Sequence, residues 1–163
     1  ELKPIYESIL KGTSFKDYNN YVDDYFRVYN DVQLIEHKIK AANKKVKSLK
    51  IAIENTPRET EELVLDFHNL KNSLLLVKRK VFGNESKKEI GEKNTPTLFN
   101  RIRVASQGLS SSYGPTKLHM ESLDMARLMN EEIKLLIKNS ISKEVTSLEN
   151  KIKDINGPVI IED

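Results

Sequence analysis

Apolar residues recur along this chain at steps of three and four. The longest unbroken series is Tyr18, Tyr21, Tyr25, Val28, Val32, Ile35, Ile39, Ala42, Val46, Leu49 and Ile53. That spacing keeps one face of a helix apolar and has the heptad character of coiled-coil packing. No Pro or Gly interrupts it, so the pattern predicts a helix of ~40 residues, about 60 Å long at ~1.5 Å per residue. Ahead of it, Ser14-Phe15-Lys16-Asp17 has capping-box spacing, with an acidic residue three positions after the Ser.

Further series follow. Leu63, Phe67, Leu70, Leu74, Val77 and Val81 predict a second helix. Thr56 is its expected N-cap, with Pro57 in the first turn and Glu59 completing the box. Phe82-Gly83-Asn84 is a glycine stop. Residues 84–94 are polar apart from Ile90 and read as a surface loop. Thr95-Pro96 then opens a shorter helix carrying Leu98, Phe99, Ile102 and Ala105, which frays at Gly108 to Ser112. After Gly114-Pro115 comes the last long series: Ala126, Met129, Ile133, Ile137, Ile141, Val145, Leu148, Ile152 and Ile155, widened by Leu118, Met125 and Leu136. Pro115 is expected at the first helical position, where its missing N–H costs nothing, and Gly114 at φ > 0. Asn156-Gly157-Pro158 is a strong stop.

Four helices with short connections give the fold expectation. It is all-α, an antiparallel up-down four-helix bundle with long first and last helices and a short third. Residues 1–13 read as a linker from an upstream domain, 14–158 as the bundle and 159–163 as an extended tail.

Composition narrows the picture little further. The 163 residues suit one domain with a sizeable core. With Cys absent, there is no disulfide, thiolate nucleophile or Cys-ligated metal. A net charge of +3 from 27 basic and 24 acidic residues does not point to nucleic acid. Lys38, Lys40, Lys44, Lys45, Lys47 and Lys50 make the second half of the first helix basic, while Asp17, Asp23, Asp24 and Asp31 make its first half acidic. Those lysines go round the helix, so a solvated surface that complements the helix dipole is the better reading. No apolar run approaches the ~20 residues of a membrane span.

Candidate chemistry is sparse. His37, His68 and His119 lack the Glu-x-x-His or His-x-x-x-His spacing of a metal site. His119 could act as an acid or base, but no partnered nucleophile is spelled out nearby. A helix-start packing or hydrogen-bonding role is the better fit. Tyr18, Tyr21, Tyr25 and Tyr29, with Phe15 and Phe26, could form a carbohydrate or protein contact surface. The seam positions of the first three favour core, with hydroxyls reaching out to water. There is no phosphate-binding glycine loop and no nucleophile elbow. The residues argue for a non-enzymatic chain without cofactor or metal. The turn Tyr113-Gly114-Pro115-Thr116, with His119 beyond it, is expected to be a structural joint at which Tyr113 and His119 pack or hydrogen-bond.

That turn also carries a resemblance. Asn94-Thr95-Pro96-Thr97-Leu98-Phe99-Asn100-Arg101-Ile102, then Ser111-Ser112-Tyr113-Gly114-Pro115-Thr116-Lys117-Leu118-His119, Ser122 and Ala126, come before Val145-Thr146-Ser147-Leu148-Glu149 and Ile155-Asn156-Gly157-Pro158. Together they resemble the helical C-terminal region of bacterial exported proteins of the sortilin-like, BNR-repeat, glycosyl-hydrolase-like β-propeller family. The resemblance covers residues ~94–158. It implies a scaffold or docking domain in a periplasmic or secreted protein, with the upstream domains of its own chain as first partner. Any hydrolase activity would then lie in the upstream propeller. A free-standing helical adaptor that binds another protein is the alternative.

Overall fold

The computed structural model describes residues 12–56, 60–93 and 95–158. Every regular element among them is helical: α1 (Phe15–Glu54), α2 (Glu61–Phe82), α3 (Glu85–Glu89), α4 (Leu98–Gln107), α5 (Lys117–Leu136), a π-helical turn (Ile137–Ile141) and α6 (Ser142–Asp154). The expectations for residues 1–11, Pro57 and Glu59, Asn94 and the tail 159–163 fall outside the described residues.

Helix α1 has the 40 residues that its heptad series predicts. Ser14 caps it, its Oγ accepting the Asp17 N–H at 3.1 Å and donating to the Asp17 carboxylate at 2.7 Å. The start of α2 differs from expectation. Thr56 is buried at the end of α1, where its hydroxyl donates to the Ala52 carbonyl at 2.7 Å, and Thr60 is the N-cap of α2. The last carbonyls of a helix lack intrahelical partners, and a Thr hydroxyl satisfies one of them. Helix α2 stops where its glycine signal lies: Gly83 has φ 95° and its N–H reaches the Arg79 carbonyl at 2.9 Å. The polar stretch expected as loop contains the exposed one-turn helix α3. Helix α4 begins two residues later than expected, because Thr97 rather than Thr95 caps it by accepting the Asn100 N–H at 3.2 Å.

The path of the chain corrects the up-down-up-down order. Between α1 and the last helix, Asn130 donates to the Val28 carbonyl at 3.2 Å, Lys134 pairs with Asp31 at 2.8 Å and Lys45 pairs with Glu149. Residue numbers rise together along both helices, so the two run parallel. Between α2 and the last helix they run oppositely: Lys80 to Glu132 at 2.8 Å, Ser73 to Glu144 at 3.0 Å, Asp66 to Lys151 at 2.6 Å. Helix α4 also opposes α1, with Tyr21 reaching the Ala105 carbonyl and Tyr18 the Leu109 carbonyl. Phe82 at the end of α2 stacks on Phe99 at the start of α4, centroids 5.3 Å apart.

The bundle therefore has three rods: α1 up, α2 and α4 down in line, α5–α6 up. The physical reason is length. The 22 residues of α2 cover little more than half of a 40-residue partner. The tyrosine end of α1 and the start of α5 would be left bare without α4 beneath α2.

All six predicted seam residues of α2 are buried, as are Val32, Ile35, Leu49, Leu98, Ile133, Leu148 and Ile152. Leu118 and Met125 are not part of the core: they are 60% and 43% exposed, while Ser122, Leu123 and Asn130 point inward. At about 100° per residue, Leu118 and Met125 lie roughly 80–100° round the helix from Ala126, off the core face. The turn Asn156-Gly157 ends α6 as expected, with Asn156 at φ 55° and the Gly157 N–H on the Ile152 carbonyl at 2.8 Å.

The π-helical turn interrupts what the sequence pattern treats as one α-helix. From Met129 to Val145 the seam takes four successive steps of four residues. Each such step carries a side chain about 40° past a full α-helical turn, roughly 160° in all. An unbroken α-helix would swing Ile141 and Val145 off the core. A widened turn absorbs the excess: the Ser142 N–H bonds five residues back, to the Ile137 carbonyl, and both Ile137 and Ile141 stay buried.

Candidate functional site

The turn between α4 and α5 is a joint built from backbone. Gly114 has φ 86° and is buried, and its N–H reaches the Ser111 carbonyl at 3.0 Å. A Cβ there would run into the Thr13 side chain. Thr13 is held in place by its own N–H, which donates to the Tyr113 carbonyl at 2.8 Å. The end of the expected linker is thus docked on the turn. Pro115 does not occupy the first helical position. It is buried just before Thr116, the N-cap, and Lys117 is the first helical residue. Thr is a competent cap and Pro is not, so the helix starts two residues later than the proline signal suggests.

His119 takes the place that Glu or Gln has in a capping box. Its Nδ1 accepts the Thr116 N–H at 3.1 Å, which puts the ring proton on Nε2. Its carbonyl lies 3.4 Å from the Tyr21 hydroxyl. The Tyr113 ring, expected to pack at the joint, is 54% exposed. What Tyr113 contributes is its carbonyl.

Tyr21 and Tyr25 are core, and the hydroxyls of Tyr18 and Tyr21 bond backbone carbonyls. Tyr21 and Tyr25 are buried, and Phe15 and Phe26 are exposed. Tyr21 donates to the Ala105 carbonyl at 2.7 Å and Tyr18 to the Leu109 carbonyl at 2.8 Å. These carbonyls belong to the end of α4 and the turn after it, where helical partners run out. Burial, then the neighbouring Tyr25, pushes the Tyr21 phenol up to about 12. Burial also raises Tyr25, helped by Tyr29 and opposed by a hydrogen bond with Ser106. The rings of Tyr25 and Tyr29 stack 5.9 Å apart. Gly108 explains how close the corner is: a Cβ would sit 2.9 Å from the Tyr21 hydroxyl and 3.1 Å from the His119 Cβ.

The other histidines lie apart. His37 and His68 are exposed, and among the described residues no three His, Cys, Asp or Glu side chains gather as metal ligands would. Of the basic half of α1, Lys40 pairs with Glu36 at 2.7 Å and Lys50 with Glu54 at 3.5 Å, as a solvated surface does. No described helix is long and apolar enough to cross a membrane.

One concave feature escaped the pattern reading. A cleft of about 550 Å³ lies between α1 and the last helix, alongside the π turn. Ala41, Ala42, Ile137, Ile141 and Val145 form its apolar surface, and Lys38, Lys45, Lys134 and Lys138 stand around it with Glu149 and Ser142. Ion pairs bridge the helices on either side, Asp31 to Lys134 and Lys45 to Glu149. The Asp31 hydrogen bond, then that of Glu131, holds the Lys134 ammonium above its ordinary range. The signals for this cleft are the run of four-residue steps and the small pair Ala41-Ala42 where the α1 seam elsewhere has larger residues.

Two outward apolar stripes complete the surface. Leu118, Met125, Leu128 and Leu135 recur at steps of seven, three and seven along α5, and Leu65, Leu75 and Leu76 stand out from α2. All seven are more than two-fifths exposed. Comparisons with family models, with curated proteins and with solved structures found no match to this chain.

Proposed function

We propose that this chain is a non-catalytic helical scaffold that docks its partner through the outer face of the last helix. The observation that carries the reading is the stripe Leu118, Met125, Leu128 and Leu135, a heptad-like apolar face on a helix whose core face is already filled. Exposed apolar residues aligned along one helix face suit protein contact, whereas single scattered ones need no explanation. The residues most suggestive of chemistry have structural work: His119 caps α5, and Tyr18 and Tyr21 satisfy carbonyls beside α4. The resemblance to exported β-propeller proteins supplies the first partner, the upstream domains of the same polypeptide, and with it a periplasmic or secreted setting. The adaptor alternative draws on the second stripe, Leu65, Leu75 and Leu76 of α2.

The test has two arms. The reading frame preceding Glu1 should encode propeller repeats, and the region they form should bind the bundle when supplied in trans. Leu128→Glu with Leu135→Glu should abolish that binding at unchanged melting temperature. A frame without propeller repeats, or binding indifferent to both substitutions, overturns the reading.

A further inference from the structure

The cleft beside the π turn has a chemistry distinct from the docking face, and it is independent of that reading. We propose that it binds a small amphipathic anion, with an alkyl carboxylate as the simplest member of the class. Its apolar surface is aliphatic throughout: Ala41, Ala42, Ile137, Ile141 and Val145. No aromatic ring lines it, which disfavours a nucleobase or a sugar face, both of which favour stacking on rings. Of its polar neighbours, Ser142 is committed to the π turn, its hydroxyl donating to the Ile137 carbonyl at 3.1 Å. Glu149 is held by Lys45, and Lys134 by Asp31 and Glu131.

That leaves Lys38 on α1 and Lys138 on the last helix. Neither has a carboxylate within ion-pair distance among the described residues. With Asp31–Lys134 and Lys45–Glu149 as rungs, the two stand on opposite walls about one helical turn apart in height, within reach of two extended lysine side chains. An anionic head between them gains two cationic contacts without breaking an existing pair. Its aliphatic body lies along Ala41, Ala42 and Val145, with the buried Ile137 and Ile141 forming the floor beneath. The volume lies within the ~300–1,000 Å³ of ordinary small-molecule sites.

The experiment titrates the folded chain with dodecanoate below its micelle concentration, read by calorimetry and by methyl NMR. The expected result is saturable one-to-one binding with shifts at Ile137, Ile141 and Val145. Lys38→Glu with Lys138→Glu should weaken binding by about tenfold, since each exposed ion pair is worth up to ~1 kcal/mol and ~1.4 kcal/mol is tenfold. Ala42→Phe should block the apolar part, and dodecyltrimethylammonium should not bind there. Both lysines are exposed, so the double substitution should leave the melting temperature unchanged. It therefore decides the matter even if Ala42→Phe disturbs the fold. Absence of saturable binding, shifts confined to other methyls, equal binding of the ammonium amphiphile, or affinity unmoved in the folded double variant would each overturn the proposal.

Discussion

Replacing Tyr21 by Phe tests the corner where three helices meet. The substitution keeps the ring and removes one oxygen. That oxygen is buried, donates to the Ala105 carbonyl at 2.7 Å and lies 3.4 Å from the His119 carbonyl. The Ala105 carbonyl keeps the Gly108 N–H at 2.9 Å, so it is not fully orphaned. A buried hydrogen bond lost with one partner still in place costs about 1–2 kcal/mol at neutral pH.

The pH dependence sharpens the test. Folding raises the Tyr21 phenol from 10.0 to about 12. A folded pKa above the unfolded one means that the native state holds its proton longer. The stability it provides is complete below about pH 10 and is lost as pH rises towards 12. A shift of that size corresponds to about 2–3 kcal/mol, since each unit is ~1.36 kcal/mol. Urea denaturation of wild type and Tyr21→Phe at pH 8 and at pH 11.5 reads both effects. The variant should be less stable at pH 8, and the gap should shrink or reverse at pH 11.5. The lysines are common to both proteins, so the difference between the two curves reports Tyr21 together with its coupling to Tyr25. Parallel curves across this range would refute the assignment of the phenol as a buried donor.

Three further outcomes follow from the geometry. Gly114→Ala should destabilise by about 1–3 kcal/mol in thermal or urea melts, because φ 86° penalises a Cβ that also meets Thr13; an unchanged midpoint would mean the turn can relax. His119→Ala should cost about 0.5–1 kcal/mol through loss of the acceptor for the Thr116 N–H, and a neutral result by the same melts would remove its capping role. Leu70→Ala, at a fully buried site, should cost about 2–5 kcal/mol, whereas Leu128→Ala, at 66% exposure, should stay within ~0.5 kcal/mol; similar losses at both would invert the assignment of core and outer face.

How much of this the sequence carries can be argued residue by residue. Helix α1 is legible over its whole length because nothing competes with its heptads, and Ser14 and Asp17 mark its start. The seam of α2 is legible for the same reason. Caps are less so: Thr56 and Thr60 are both good caps, and only the chain path decides which serves which helix. The direction of α4 was not legible, since local spacing says nothing of where α2 runs out along α1. The tyrosines gave their side of the helix but not their partners, which are carbonyls 84 and 91 positions away in sequence. The π turn was encoded in the run of four-residue steps, a phase drift that matching single steps of three or four does not register. The cleft follows from that turn and was out of reach without it.

The parallel course of α1 and the last helix is the claim on which the three-rod bundle stands. Because the chain has no Cys, single cysteines can be placed and spin-labelled without background. Lys16→Cys paired with Lys117→Cys marks the starts of both helices, and Lys16→Cys paired with Lys153→Cys marks opposite ends. Distances by pulsed electron resonance should be short for the first pair, under roughly 25 Å given helix spacings of ~10 Å plus label arms. The second pair should be long, about 50 Å or more at ~1.5 Å of rise per residue. A long first distance with a short second would put the two helices antiparallel, as in the up-down four-helix order, and would contradict the three-rod bundle.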